Sequence, residues 1–347
     1  MLIVVLFSFA LLLPPHVYAT DWYISPSGSD SKGRGTMFSP FATLAKAATV
    51  ASTGDAIVAM PGTYSDDHII NVPADISIIA QEGSGSVIFQ DYTTLKPLGT
   101  VNVSGIVFEN GCFDLIGSND SNIHYFISEC QFIGGACTQT ISFYIYSEFV
   151  LTIQDCYFTG SAWSVFINHK ASVTVLKSTF IGGMGGIGFF AGGTLIVDDS
   201  DFINISPSRT KAVIMAYNAN VTVTSSRFAN SNGSYIGSAI SVYQSSNLSV
   251  MASVFSNNHV VDDGGAIYLG PGTFSTFAAC EFVGNYAGGA GGAVYAYGDS
   301  YASFEGCLFA NNWAPTGGAY SCGNEGTIEV SGCKFVNSTV DNINCRS

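Results

Sequence analysis

Acidic side chains come in tight groups: Asp66-Asp67-His68, Asp198-Asp199-Ser200-Asp201 and Asp262-Asp263. Grouped carboxylates hold Ca2+ against a uronate, or flank a scissile glycosidic bond as its acid and nucleophile. A polysaccharide lyase also needs a Lys or Arg as base. One region supplies both charge types, with Asp155, Lys170, Lys177, Asp198, Asp199, Asp201, Arg209, Lys211 and Arg227. Within it Asp199, Asp201, Arg209 and Lys211 form the candidate lyase cluster, and Ca2+ is the cofactor that chemistry would require. Aromatic side chains offer a different chemistry. Tyr243, Tyr268, Tyr295 and Tyr297 alternate with aliphatic residues, and exposed tyrosines stack on sugar rings or on a protein partner. Tyr144, Tyr146 and Phe166 extend that stripe toward the N-terminus. Equally, neighbouring tyrosines can stack on one another and shield the backbone. Thiols recur as well, but without a CxxC spacing or clustered histidines, so no metal site and no resident cofactor are expected. His68, His124, His169 and His259 do not converge.

What must position these groups is a repeat. Phe108, Phe132, Phe158, Phe180, Phe202, Phe228, Phe255, Phe282, Phe309 and Phe335 recur at intervals of 22 to 27 residues. A period in that range marks a solenoid. Five residues before each Phe sits an apolar residue, from Val103 to Val330, and the flanking sequence alternates as in VTVLKSTF (173–180), a strand pattern. The odd offset between two inward residues demands a corner between them, and Gly105, Gly306 and Gly332 occupy it in three copies. Each repeat is thus three short strands, and the chain is expected to be all-β: a right-handed parallel β-helix of about eleven three-strand coils, on the order of 50 Å long. The segment 39–55 predicts a capping helix at the N-terminal end, with Ser39 as N-cap, Pro40 at its first position, and Phe41, Leu44 and Ala48 on one face.

The repeat phase offers a second explanation for the charged region. Asp155, Lys177 and Asp199 each lie three before their Phe on successive coils, and Asp201 and Arg227 each lie one before theirs. Opposite charges one coil apart form a surface ion ladder. The position two before Phe is Cys130, Cys156, Ser178, Ser200, Ser226, Ser253, Cys280, Cys307 or Cys333 in nine copies, small groups suited to a narrow corner.

The opening YISPSGSDSKGRGTMFSPFATLAKAATVASTGDAIVAMPGTY resembles that of secreted β-helix proteins of the pectin-lyase-like superfamily. The C-terminal repeats resemble those of the polymorphic outer membrane protein family, through Gly265-Ala266-Ile267 with Phe255 and Asn258, Gly292-Ala293-Val294 with Phe282 and Asn285, and Gly318-Ala319-Tyr320 with Phe309 and Asn312. Motif-grade similarity covers about 237–338, and the last copy carries Tyr320 where that family has an aliphatic residue. The resemblance implies a scaffold shared by enzymes and non-enzymes. The superfamily's enzyme signatures (WIDH, NTD, GHG, RIK and GRPW) are absent from the sequence.

Residues 1–19 read as an export signal: Leu2–Leu13 is a short apolar run, followed by Pro14-Pro15 and the cleavage pattern Val17-Tyr18-Ala19. The expected organisation is signal 1–19, cap 20–54 and β-helix 55–347, secreted or at the cell surface, with no membrane span in the mature chain. Asn102, Asn119, Asn204, Asn220, Asn232, Asn247 and Asn337 begin N-glycosylation sequons. Of nine cysteines, Cys112 with Cys137 and Cys322 with Cys345 are the candidate disulfides, since they lie off the recurring position. A formal charge of −14, with no Lys or Arg between Arg227 and Lys334, argues against nucleic acid and anionic lipid. The expected function is non-catalytic adhesion or binding to a polysaccharide or cell-surface glycoprotein. The alternative is a lyase or related carbohydrate-active enzyme on an acidic polysaccharide such as pectin.

Overall fold

The computed structural model describes residues 19–338 apart from 66–68, 91–92, 110–112, 116–122, 135–140, 144–147, 161–163, 191, 208–211 and 234, and apart from the side chains of 113–115 and 141–143. At the residue three before Phe, the backbone is left-handed in all ten copies. Besides the three glycines, these are Glu129, Asp155, Lys177, Asp199, Ser225, Ala252 and Ala279, with φ between 47° and 55°. The corner demanded by the odd offset is therefore present in every coil, even where no glycine advertises it. A second left-handed corner falls two residues after Phe, at Gly134, Gly160, Gly182, Asn204, Asn230, Asn257, Gly284, Asn311 and Asn337. Asn tolerates this conformation better than other side chains. Alanine does not, so Ala279→Gly, at an exposed corner with φ 52°, is expected to raise the urea midpoint by about 1 kcal/mol of stability. An unchanged or lower midpoint would show that the corner stores no strain.

Between corners the strands pair only with their counterparts one coil away, and every adjacent pair is parallel. Among the described residues three long sheets form, of thirteen, twelve and eleven strands, beside a two-stranded ribbon of His259–Val260 and Tyr286–Ala287. The first runs from Asp21–Ile24 to Thr327–Ser331, the second from Gly62–Ser65 to Lys334–Val336, and the third from Ile69–Val72 to Tyr320–Gly323. The sheets are unequal because the ends are staggered, so the coil number depends on the face counted and is not the single figure of eleven. The first strand already belongs to the first sheet, inside the segment expected as cap.

The core is a set of columns along the axis. The ten phenylalanines stack in register, with ring centroids 4.5–5.2 Å apart. The column continues upstream through Phe89 and Tyr64, beyond the first repeat recognised in the sequence. The apolar residues five before Phe form a second column, buried except at its last member, Val330.

The helix at the N-terminal end is shorter than expected and begins later. It spans Leu44–Val50, with Thr43 as N-cap accepting from the Lys46 N–H. Ser39 instead pairs with Thr36, and Phe41 bridges Ile24 in extended backbone. The shift has a cause in Asp30, whose carboxylate accepts from the Ala42 and Thr43 N–H groups and from the Thr43 hydroxyl, and so fixes the start of the helix. Leu44, Ala47 and Ala48 are buried in the common core.

Candidate functional site

The position two before Phe turns out to satisfy the first corner. Ser200, Ser226 and Ser253 hydroxyls accept from the N–H groups of Ser178, Ser200 and Ser226, each at 3.1 Å. Each hydroxyl donates to the carbonyl two residues upstream. Cys307 and Cys333 sulfurs play the acceptor role for the N–H groups of Cys280 and Cys307. The recurring thiols and hydroxyls are thus absorbed by backbone satisfaction.

The charged region is dispersed. Asp201 accepts from Arg227 Nε at 2.8 Å on an exposed face, and this contact raises the guanidinium pKa. That is the expected pairing one coil apart. Asp155, Lys177 and Asp199 occupy left-handed corners, and among the described residues no ion pair joins them. The three-member ladder is therefore corrected: the three residues are exposed at successive corners, and none of them reaches its neighbour within ion-pair distance. Asp198 accepts from the Thr224 hydroxyl, and Lys170 pairs with Glu148. Arg209, Lys211 and the Asp66–His68 group lie outside the described residues. Among those described, no three His, Cys, Asp or Glu side chains come together in a metal-holding group.

The tyrosines, by contrast, are brought together on the outer face of the third sheet. Ile240, Val242, Ile267, Leu269, Val294 and Ala296 point inward and are fully buried. Outside them a continuous aromatic column runs Phe166, Phe190, Tyr217, Tyr243, Tyr268, Tyr295, Tyr297, with successive centroids 4.7–6.3 Å apart. Register explains how the rings lie. Phe166 pairs with Gly188, and Tyr297 with Gly323. A Cβ at Gly188 would meet Phe190 at 2.6 Å, one at Gly270 would meet Tyr243 at 2.9 Å, and one at Gly323 would meet the Tyr295 hydroxyl at 2.1 Å. Phe190, Tyr243 and Tyr295 lean across neighbours that lack a side chain, and the rings of the column are half-buried or, at Tyr268, buried, and do not stand out as a flat exposed row. Tyr268 is only 9% exposed. Burial first, then Tyr295, Tyr297 and Asp263, pushes its hydroxyl up to about 12, and burial raises Tyr243 further.

Asp263 is the charged member of this face. It accepts from the Ala290 N–H at 2.7 Å, its own pKa is raised by burial, and its field reaches Tyr268 and Tyr295. At the C-terminal end of the column a cleft of about 470 Å³ opens, lined by Ala290, Tyr295, Thr316, Ser321, Asn324 and Glu325 among others. Asn324 donates to the Tyr297 hydroxyl at 2.8 Å. Tyr144 and Tyr146 lie outside the described residues.

Sequence reasoning missed Phe190 and Tyr217, which interrupt the GGA-type spelling, and missed a second ladder. His259, Tyr286 and Trp313 stack at 4.6 and 4.8 Å on the edge of the last coils. Each lies four residues after its Phe, the signal that phase alone could have supplied. Of the sequon asparagines, Asn204, Asn220, Asn232, Asn247 and Asn337 are exposed, Asn102 is half-buried, and Asn119 lies outside the described residues.

Comparison with solved structures finds the same fold in a lacto-N-biosidase from Eubacterium ramulus, at 11% identity and TM-score 0.58, covering 91% of this chain and 67% of that one. The catalytic unit of an α-1,3-glucanase from Streptomyces thermodiastaticus is similar at 14% identity and TM-score 0.54, covering 92% and 70%. At these identities the likeness is one of fold. No curated protein matches the sequence. Residues 104–282, more than half of the chain, match the model of the right handed beta helix region, and the chain belongs to that family.

Proposed function

We propose that the protein is a non-catalytic carbohydrate-binding rod that serves adhesion, exported by way of residues 1–19 and held outside the cell or at its surface. The observation that carries this is the aromatic column of the third sheet ending in a polar cleft. Half-buried rings supply apolar edges, and Asn324, Ser321, Thr316, Glu325 and Asp263 supply the acceptors and donors that orient sugar hydroxyls. With a formal charge of −14 and two carboxylates at the column's end, a neutral glycan suits the face better than a uronate polymer. The GGA and F-x-x-N repeats of 237–338, like those of polymorphic outer membrane proteins, support display of the rod at a surface, with 20–54 as its cap and the exposed sequons as glycan acceptors. The fold's occurrence in a biosidase and a glucanase supports a carbohydrate ligand at the level of scaffold.

Calorimetry against neutral β- and α-linked oligosaccharides, beside polygalacturonate, alginate and pectin with and without Ca2+, tests this. Binding of a neutral glycan without new reducing ends or unsaturated products is expected, weakened at least tenfold by Tyr295→Ala and by Asn324→Ala. Turnover abolished by Asp199→Ala or Lys211→Ala would replace it with the carbohydrate-active enzyme.

A further inference from the structure

At the C-terminal end of the rod Cys322 is disulfide-bonded, and Cys345, like Cys112 and Cys137, lies outside the described residues. The N-terminal end is described without a break from residue 19 to residue 65. There the strand Asp21–Ile24 pairs on one side with Ala56–Ala59. Its other edge is taken by residues 35–41. The Tyr23 N–H donates to the Gly35 carbonyl, the Phe41 N–H to the Tyr23 carbonyl, and the Ser25 N–H to the Phe41 carbonyl. Residues 35–41 are therefore the outermost layer of this end.

Within that layer Thr36–Ser39 is a β-turn, closed by the Ser39 N–H on the Thr36 carbonyl at 3.0 Å. Its two central residues are Met37 and Phe38, 45% and 96% exposed. No other large apolar side chain among the described residues is more than 62% exposed. Apolar side chains left in water cost free energy, and a loose turn would fold them back onto the core. This turn is held at its base. The Arg34 N–H donates to the Ser39 carbonyl at 2.8 Å. Gly35, at φ 71°, lies so close to two core rings that a Cβ there would meet Phe41 at 2.4 Å and Trp22 at 2.5 Å.

Charge around the turn runs against that of the chain. Of eleven Lys and Arg residues and 25 Asp and Glu, residues 19–54 hold three and two. Lys32 and Arg34 are exposed beside the turn, and the Lys46 ammonium lies 5.6 Å from the centre of the Phe41 ring. Of the two acids, Asp30 is engaged by the Ala42 and Thr43 N–H groups and the Thr43 hydroxyl. A net charge of −14 disfavours anionic lipid for the chain as a whole, but salt confines each charge to a reach of about 8 Å, so the local sign decides here. The tip is apolar and the base cationic. That order of depth matches a bilayer with acidic headgroups, whose charge lies outermost and whose acyl boundary lies beneath.

We infer that the N-terminal end of the rod docks on a lipid bilayer carrying anionic headgroups, with Met37 and Phe38 entering the acyl boundary and Lys32 and Arg34 lying among the headgroups. Such docking rests on the chain's being held at a cell surface, and it names what that surface offers. One turn buries little area, so the contact is reversible and weakens as salt rises.

Co-sedimentation of the exported protein with phosphatidylcholine–phosphatidylserine vesicles tests this. Binding is expected, at least tenfold weaker for Phe38→Asp and for Arg34→Glu, and at least tenfold weaker on phosphatidylcholine alone. Both substitutions fall on exposed side chains, and an unchanged urea midpoint checks that the fold is kept. Should a midpoint fall, Phe38→Ser and Arg34→Gln replace them, with the same loss expected. Calorimetry of the same variants should show neutral-glycan binding unchanged, so docking and carbohydrate recognition fail separately. No sedimentation of the wild type, or equal sedimentation of wild type and Phe38→Asp, would overturn the inference.

Discussion

Asn285→Leu is expected to lower the unfolding free energy by about 4 kcal/mol. Asn258, Asn285 and Asn312 lie three residues after their Phe and are buried in an inner ladder. The Asn285 carbonyl accepts from the Asn258 N–H at 3.1 Å and from the Asn258 amide at 3.0 Å. Its own amide donates to the Phe255 carbonyl and to Asn312, each at 2.9 Å. Leucine has similar volume but none of these partners, so the Asn258 N–H and the Phe255 carbonyl lose their side-chain partner, and the Asn258 and Asn312 side chains each lose one hydrogen bond, where water cannot reach. The control is Asn257→Gly, next to the ladder at an exposed left-handed corner, which should change stability by no more than about 0.5 kcal/mol. Urea unfolding of both variants decides the matter: equal, small losses would mean that the ladder adds nothing beyond shape.

Phe228→Ala should cost about 3–5 kcal/mol and should also divide the unfolding transition. Phe228 is fully buried, with Phe202 at 4.7 Å on one side and Phe255 at 5.0 Å on the other. Removing the ring leaves a cavity between two rings held apart by the strand spacing, which cannot collapse along the axis. Each coil touches only its neighbours, so a weak coil in the middle uncouples the two sides. Phe335→Ala, at the half-exposed end of the same column, should cost only about 1 kcal/mol. Hydrogen exchange on the Phe228 variant should show coils before Ser200 keeping their protection while those after Val250 lose theirs together, or the reverse. A single cooperative loss across the whole rod would refute the uncoupling.

The fold was legible because its rule is positional. A buried column every 22–27 residues leaves a Phe that cannot be replaced by a polar residue, and the odd offset to the next inward residue betrays a corner. The corner's occupants were much less legible. Glu129, Lys177 and Asp199 take the left-handed conformation because strands on both sides hold them there, and no local signal marks them. For the same reason Asp199 looked like chemistry, although it is a corner, with Ser200 beside it a backbone hydrogen-bond acceptor. The tyrosine column was visible where Gly-Gly-Ala precedes it and invisible at Phe190 and Tyr217. Its half-burial depended on Gly270 and Gly323, which read as loop residues until register placed them beside the rings. Asp263 could not have been assigned to the face at all, because its approach depends on a coil-to-coil contact with Ala290.

Coil length varies most between the second and third sheets, and that has a mechanical meaning. Phe158 to the next inward strand position, Val165, takes seven residues, whereas Phe282 to its counterpart Val294 takes twelve, yet the two strands lie in one unbroken register. The extra residues add girth without adding rise, and they carry His259, Tyr286 and Trp313 with a two-stranded ribbon of their own. Tension applied along the rod would pass through the three sheets and leave this lateral fin unloaded. The fin is therefore free to change shape and composition while the load-bearing shaft keeps its dimensions.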